Sequence, residues 1–190
     1  MLSPSANSEG SKRLLLAPMQ VWELIRLVVI GCSIGVFCLG VLLLVHHASY
    51  VWLKGRIVER RRWGLNICCG VTDGGGVNAD IAQHADVPNL VLIEDIYHLP
   101  FEDGQFDTVL CSHTLEHVEE PRRFWEELQR VGREVTLVVP PLWDLWAIPC
   151  LYQHRWVFLT FRTEHTSLPR YVRLPGARWV QRCVGQFIRA

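Results

Sequence analysis

The hydrophobic positions of this chain fall into one long apolar run and several short ones. The long run extends from Leu27 to Val45 and contains no charged residue. At about 1.5 Å per residue, a helix of this length approaches the roughly 30 Å thickness of a bilayer core. The run therefore predicts a transmembrane helix. Trp22 and Trp52 flank it where indoles favour the two membrane interfaces.

Two other interpretations of the long run fit less well. A cleaved signal peptide has a shorter apolar core, roughly 7 to 15 residues, followed by small residues at the cleavage site, whereas His46 and His47 follow here. A core helix of a small soluble domain keeps one polar face toward solvent, whereas this run is apolar on every face.

The short apolar runs predict the strands of a sheet. The predicted strands are Leu65–Cys69, Val77–Ile81, Asn89–Ile93, the run from Phe106 to Cys111, and Glu134–Val139. An amphipathic helix is predicted over Pro121–Arg130, with Pro121 in its first turn, where the missing N–H costs nothing. Strands that alternate with helical segments favour an α/β fold with a mostly parallel sheet.

These patterns divide the chain into five segments. They are a disordered tail at residues 1–20, a transmembrane helix with its flanks at 21–53, a basic juxtamembrane segment at 54–63, an α/β core at 64–145, and a C-terminal segment at 146–190. The last segment is expected to form a lid or the remaining strands of the sheet. Within it, RWVFLTF and RYVRLP are the candidates for further strands.

The distribution of charge predicts the orientation of the chain. Lys and Arg together number 19, and so do Asp and Glu, so the balance gives no indication of a nucleic-acid partner. Basic residues are densest after the apolar run, at Lys54, Arg56, Arg60, Arg61 and Arg62. Because cytoplasmic flanks are enriched in Lys and Arg, the C-terminal domain is expected in the cytoplasm. The basic run could also contact anionic lipid, although a solvated flank is the simpler interpretation.

The cysteines indicate a reducing compartment. There are seven, an odd number without the spacing of a disulfide framework, and no C-x-x-C pair is available to bind zinc.

Candidate chemistry lies where the predicted strands end. The stretch FDTVLCSHTLEH places Ser112 and His113 directly after a buried strand, and a glycine-rich turn follows the first strand at Gly70. Asp80 lies at the end of the second strand, where a carboxylate can accept hydrogen bonds from a ribose diol. Ligands of open α/β sheets bind at this edge, so the pattern predicts a small-molecule site.

The stretch HTLEH also has the H-x-x-E-H spacing of a class of zinc peptidases, in which Glu116 would activate water. Such motifs need an established helix and a third ligand downstream. Here His113 follows a strand directly and Pro121 starts a new helix, so no metal site is predicted.

Taken together, four stretches resemble class I S-adenosylmethionine-dependent methyltransferases of the methyltransferase type 11 kind. They are LNICCG, VNADI, EDIYHLPFEDGQFDTVLCSHTLEHV and EELQRVGREVTLVVP, all between Leu65 and Pro140. The resemblance implies a Rossmann-like sheet, here in truncated form, and S-adenosylmethionine as cofactor.

Carried over by position, the resemblance implies a role for each candidate residue. Gly70 would lie against the methionine portion of the cofactor, Asp80 would bind the ribose hydroxyls, and Asp95 with Ile96 would hold the adenine. Ser112 and His113 would line the pocket beneath the sulfonium, with His117 close by.

Either His113 or His117 could act as the general base if the acceptor has a proton to lose, since imidazole titrates near neutral pH. The alternative is a structural role, because a histidine that follows a strand often only forms a hydrogen bond with the backbone.

The chain departs from the family pattern in its first βαβ unit. Asn66 stands where the family usually has an acid, and Cys68 stands where it has its first glycine. The stretch from Gly70 to Asp80 is too short for the usual helix, so a glycine loop and a more open pocket are expected.

The expected function is a membrane-anchored methyltransferase that acts on a small or lipid-like acceptor, because a tethered enzyme meets a bilayer-dissolved substrate at high effective concentration. The alternative is a non-catalytic, membrane-tethered interaction module of the same fold.

Overall fold

The computed structural model describes residues 21–147 and 150–185, so the tail predicted at residues 1–20 lies outside the described residues. The described residues fall into two compact units, which are divided between Leu39 and Gly40. The elements in chain order are α1 (Val21–His47), a π-helical segment (Ala48–Leu53), α2 (Lys54–Val58), β1 (Leu65–Ile67), β2 (Val77–Asp80), β3 (Leu90–Leu92), β4 (Phe106–Ser112), α3 (Pro121–Val131), β5 (Gly132–Val138), β6 (Trp156–Phe158), β7 (Glu164–His165), β8 (Tyr171–Arg173) and α4 (Ala177–Val184).

The apolar run forms a helix. None of the α1 side chains is buried. The helical stretch from Val21 to Val58 is long and apolar enough to cross a membrane, and a window of 18 residues within it has a mean hydropathy of 2.8. The helix meets this criterion by its length and composition, which a signal sequence near an N-terminus shares.

The second unit is built on a six-stranded sheet in the order β3-β2-β1-β4-β5-β7. The first five strands are parallel, and β7 pairs antiparallel with β5. In register, Leu65 of β1 lies beside Val77 on one side and Val109 on the other. The predicted α/β class with a mostly parallel sheet is confirmed.

Helix α3 covers one face of the sheet. Its buried side chains include Phe124, Trp125 and Leu128, the face expected from the sequence. Strand β5 follows the helix without a loop, and a Cβ on Gly132 would lie 2.3 Å from Cγ2 of Val109. The junction therefore requires glycine.

The other face of the sheet is covered by the segment that precedes the predicted core. Ile57, Val58 and Trp63 form a buried cluster with Leu110 of β4 and Val138 of β5. The indole Nε1–H of Trp63 donates to the Val58 carbonyl oxygen at 2.9 Å. Residues 57–63 are thus part of the packed domain as well as a basic flank.

The connection between β1 and β2 is a loop, and the described residues 68–76 contain no helix, as predicted. Its glycines allow close backbone approach. A Cβ on Gly76 would lie 2.2 Å from the Trp63 carbonyl oxygen, and one on Gly74 would lie 2.6 Å from Cβ of Asn66. The buried Asn78 side chain accepts from the Gly74 N–H at 2.9 Å and fixes the loop.

Both C-terminal candidate stretches contain a strand, but neither strand joins the main sheet. Trp156–Phe158 and Tyr171–Arg173, which lie in the two candidate stretches, pair with each other in a separate antiparallel sheet. The main sheet is instead extended by the two-residue strand Glu164–His165. This strand is too short and too polar to show an apolar pattern in the sequence.

Candidate functional site

The candidate site is a cavity of about 500 Å³ at the carboxyl ends of β1 and β4. These strands are neighbours, and the strand order changes direction between them, which is where open α/β sheets bind ligands. The volume lies in the range of small-molecule and cofactor sites. Its walls come from the helical segment before the core, the β1–β2 loop, the end of β2, the β3–β4 loop and the residues after β4.

Asp80 contributes a carboxylate to the cavity wall. Its Oδ2 accepts from the Gly70 N–H at 2.8 Å and its Oδ1 accepts from the Ile81 N–H at 2.7 Å. The residue is 5% exposed. Because a carboxylate has about four lone-pair sites, these two bonds fix its orientation and leave acceptor capacity for a ligand hydroxyl.

The turn after β1 is left-handed at two positions that line the cavity. Cys68 has φ = 52° and Gly70 has φ = 57°. Glycine adopts this conformation without cost, whereas a residue with a Cβ does not. Burial raises the pKa of the Cys68 thiol well above its usual value, so the side chain is a neutral thiol near neutral pH.

The two residues predicted to hold adenine are placed differently. Ile96 lines the cavity, whereas Asp95 is not among the lining residues. The Asp95 carboxylate accepts from the Tyr97 N–H at 2.8 Å and lies 2.7 Å from Nδ1 of His98. The Asp95 side chain therefore closes a turn beside the cavity.

Ser112 and His113 lie in the cavity wall at the end of β4, and His113 has φ = 53°. Its N–H donates to the Val138 carbonyl oxygen at 2.8 Å, which continues the β4–β5 ladder. Nε2 of His113 and Oγ of Ser112 are buried, and among the described residues neither has a hydrogen-bond partner.

Behind His113 lies a buried carboxylate surrounded by histidines. Oε1 of Glu116 lies 3.2 Å from Nδ1 of His113 and 4.0 Å from Nε2 of His117, and Glu116 is 1% exposed. Burial alone would raise the pKa of the Glu116 carboxyl. The hydrogen bond from His113 and the charges of His113, His117 and His154 outweigh burial and lower the pKa to about 2.

His154 completes this cluster, and the sequence analysis did not identify it. The rings of His117 and His154 lie 4.9 Å apart, and burial lowers the pKa of His154 to about 4. The Glu116 carbonyl oxygen accepts from the N–H groups of Arg155 and Trp156 at 2.7 and 3.2 Å, which brings His154 to the cluster. No local motif marks it, because it comes from a segment 37 residues beyond His117.

Two further wall residues come from the helical segment before the core. Tyr50 lies on the π-helical segment and Lys54 begins α2. The Lys54 Nζ lies 4.8 Å from the Tyr50 ring centre, and that ring lies 4.7 Å from the ring of His113. The i, i+4 spacing of Tyr50 and Lys54, which places both on one helix face, was the available sequence signal.

The fold and cavity define a Rossmann-like domain with a ligand site at its switch point. Residues 62–138 match the sequence profile of a family described as a methyltransferase domain. The match covers 77 of the 190 residues (138 − 62 + 1), so over that stretch the chain is similar to methyltransferase domains.

Individual relatives are distant. The chain is 24% identical over 110 residues to ajmaline N-methyltransferase from Rauvolfia serpentina, an alignment that covers 58% of this chain and 33% of that protein. The chain therefore matches about a third of the length of this relative.

Among solved structures, a SAM-dependent methyltransferase from Aquifex aeolicus aligns over 50% of this chain and 67% of its own, with 14% identity and a TM-score of 0.37. The YcgJ protein from Bacillus subtilis aligns over 56% and 59%, with 20% identity and a TM-score of 0.40.

Proposed function

We propose that this protein is an S-adenosylmethionine-dependent methyltransferase anchored in a membrane. The observation that carries the proposal is the cavity at the switch point, which has the buried, oriented carboxylate of Asp80 in its wall. The methyltransferase match over residues 62–138 supports the choice of cofactor.

The residues in the cavity suit this cofactor. Asp80 would accept hydrogen bonds from the ribose hydroxyls, and Gly70, without a side chain, would lie against the methionine portion. Ile96 would pack on the adenine, with Asp95 holding the turn that positions it. Ser112 would lie near the sulfonium. The cofactor supplies a methyl group already activated by positive sulfur.

The protein's own task is then to align a nucleophile with that methyl group and to exclude water. His113 is the better candidate for a general base, because its buried Nε2 is without a partner among the described residues and the residue lines the cavity. Its Nδ1 hydrogen-bonds Glu116, which would stabilise the protonated ring. His117 contacts the same carboxylate and is the second candidate.

The acceptor is proposed to be small or lipid-like. Tyr50 lies five residues beyond Val45, the end of the apolar run, so this part of the cavity wall would lie within roughly 8 Å of the membrane boundary along the helix. A lipid-like acceptor could reach the cavity from the cytoplasmic leaflet.

Isothermal titration of S-adenosylmethionine into the full chain in detergent micelles tests cofactor binding. We expect binding in the micromolar range and a loss of at least about tenfold in Asp80→Asn, which removes the charge but keeps the shape. Asp86→Asn, an exposed carboxylate beyond β2, is the matched control. No binding at millimolar cofactor would refute the proposal.

Anchoring is tested separately by alkaline extraction of membranes that contain the full chain. An integral protein stays in the pellet, whereas release into the supernatant would contradict the anchor. Labelling of the exposed Cys183 with an impermeant maleimide, with Cys183→Ser as control, should occur only from the cytoplasmic side.

The second candidate function is a non-catalytic, membrane-tethered interaction module. The observation that favours it is Cys68, which places a side chain in a left-handed turn at the cavity wall. If Asp80→Asn abolished cofactor binding but left the cellular role of the protein intact, the module would be the correct function.

A further inference from the structure

We propose that Glu116, His117 and His154 form a binding site for one divalent transition-metal ion of the Zn²⁺ type, beside the cavity. One ligand atom from each of these residues lies within 4.8 Å of the other two. Two imidazoles and a carboxylate are a common donor set for zinc and for other divalent transition metals. This inference goes beyond the proposed methyl transfer and departs from the expectation that the chain binds no metal.

The first supporting observation is an unsatisfied buried carboxylate oxygen. Oε1 of Glu116 is contacted by His113 and His117, but Oε2 is buried and has no hydrogen-bond partner among the described residues. A buried polar atom without a partner costs about 1–3 kcal/mol, and more when it is charged. A bound cation would satisfy this oxygen.

The second observation is the orientation of the two histidines. Nδ1 of His117 lies 2.9 Å from the carbonyl oxygen of Gln153, which can only accept, so Nδ1–H donates there and Nε2 lies on the side of Glu116, 4.0 Å from its Oε1. His154 likewise hydrogen-bonds the Ala147 backbone. Histidine ligands of metals are typically fixed in this way, by an N–H donated to a carbonyl oxygen.

The third observation is that hydrogen bonds join the two chain segments that carry the cluster. The Glu116 backbone carbonyl accepts from the N–H groups of Arg155 and Trp156, and the Trp156 indole donates to the Val118 carbonyl oxygen at 2.9 Å. In a tetrahedral zinc site, with bonds of about 2.0–2.2 Å, ligand atoms lie roughly 3.3–3.6 Å apart. The three ligand atoms now lie within 4.8 Å of one another, and small side-chain rotations would bring them to this distance.

His113 would be a positioning residue in this site. Its Nδ1 hydrogen-bonds Oε1 of Glu116 and would orient the carboxylate. His117 also lines the cavity, so a bound ion would lie beside the proposed acceptor region.

The test uses the full, untagged chain in detergent micelles, stripped with chelator and titrated with ZnCl2 and with CoCl2. We expect one ion per chain and a dissociation constant below about 1 μM. The His154→Ala and Glu116→Gln variants should weaken binding at least 100-fold. His47→Ala, which removes an exposed histidine outside the cluster, should leave the constant unchanged.

The Co²⁺ spectrum keeps the proposal testable even if a variant fails to fold. Nitrogen and oxygen ligands give visible bands without a thiolate charge-transfer band, whereas capture by Cys68 or another thiol would produce that band. Failure of the wild-type chain to bind either ion, a thiolate band, or unchanged affinity in folded His154→Ala would each overturn the proposal. Metal binding and cofactor binding are measured independently, so failure of one is distinguishable from failure of the other.

Discussion

At the scale of single residues, Cys68 is the clearest conflict between local conformation and side chain. It adopts φ = 52° in the cavity wall, at the position where the resembled family has glycine. A residue with a Cβ in the left-handed region is strained by about 1–2 kcal/mol.

We predict that Cys68→Gly raises the affinity for S-adenosylmethionine about three- to tenfold, because it removes a Cβ and a sulfur from the wall and relaxes the turn. Titration calorimetry on the full chain measures the change. Asn89→Gly is the matched control, since Asn89 also has φ = 52° but does not line the cavity. A lower affinity in Cys68→Gly would show that the sulfur makes a favourable contact with the cofactor.

Glu127 is a second informative residue, because it ties α3 to the β3–β4 loop. Its Oε1 accepts from the Leu99 N–H and from Nη2 of Arg130, both at 2.7 Å. The hydrogen bond from Arg130 lowers the pKa of the Glu127 carboxyl below its usual value. A carboxyl with a depressed folded pKa contributes stability above its unfolded pKa of about 4.3 and loses it as the pH falls through the folded value.

We therefore predict that Glu127→Gln lowers the free energy of unfolding by about 1–3 kcal/mol at pH 7 and that this difference shrinks below about pH 4. Urea unfolding followed by tryptophan fluorescence measures both effects. Glu126→Gln, which removes an exposed carboxylate paired with Arg122, should change stability by less than about 0.5 kcal/mol. An equal loss at pH 3 and pH 7 would contradict the assigned role.

At the scale of elements, the sequence predicted the strands and the helix that show a regular hydrophobic pattern. The five parallel strands and α3 follow from apolar runs and an amphipathic period, and the glycine loop follows from the short spacing between Gly70 and Asp80. Gly70, Asp80, Ser112 and His113 meet in one cavity because they end or follow adjacent parallel strands. Site residues that lie at the ends of parallel strands can therefore be recognised from a single sequence.

Other features could not be predicted from the sequence, because they depend on packing between segments that are distant along the chain. His154 reaches Glu116 through backbone hydrogen bonds made by the following residues, which no local spacing encodes. The strand Glu164–His165 is fixed by its two pairings with β5. The sequence places Tyr50 and Lys54 on one helix face, but their contribution to the cavity wall depends on how that helix packs on the domain.

The β1–β2 loop gives a prediction at this scale. Gly76→Ala should destabilise the domain by at least about 3 kcal/mol, because its Cβ would lie 2.2 Å from the Trp63 carbonyl oxygen and 2.7 Å from that of Gly64. Gly55→Ala in α2 meets nothing within 4 Å and should stabilise the chain by up to about 1 kcal/mol through helix propensity. Equal effects of the two substitutions in urea unfolding would contradict this account of the loop.

At the scale of the whole molecule, the helical segment after Gly40 contributes directly to the packing of the second unit. It supplies Tyr50 and Lys54 to the cavity and Ile57 and Val58 to the buried cluster on the second face of the sheet. His46 hydrogen-bonds the buried Asp144 carboxylate through Nδ1, at 3.1 Å from Oδ2. The residues from 40 to 58 are therefore part of the unit that contains the cavity.

This continuity predicts where the chain can be shortened. Removal of residues 1–39 should leave cooperative unfolding and cofactor affinity unchanged, because 40–190 is a compact unit. Removal of residues 1–62 should abolish both, since it exposes the sheet face that Ile57 and Val58 cover. Loss of these two side chains alone costs about 3–6 kcal/mol, a large fraction of typical domain stability. Thermal unfolding and calorimetry of both chains in the same detergent decide the matter, and a stable, cofactor-binding 63–190 chain would show that the helix end is dispensable to the site.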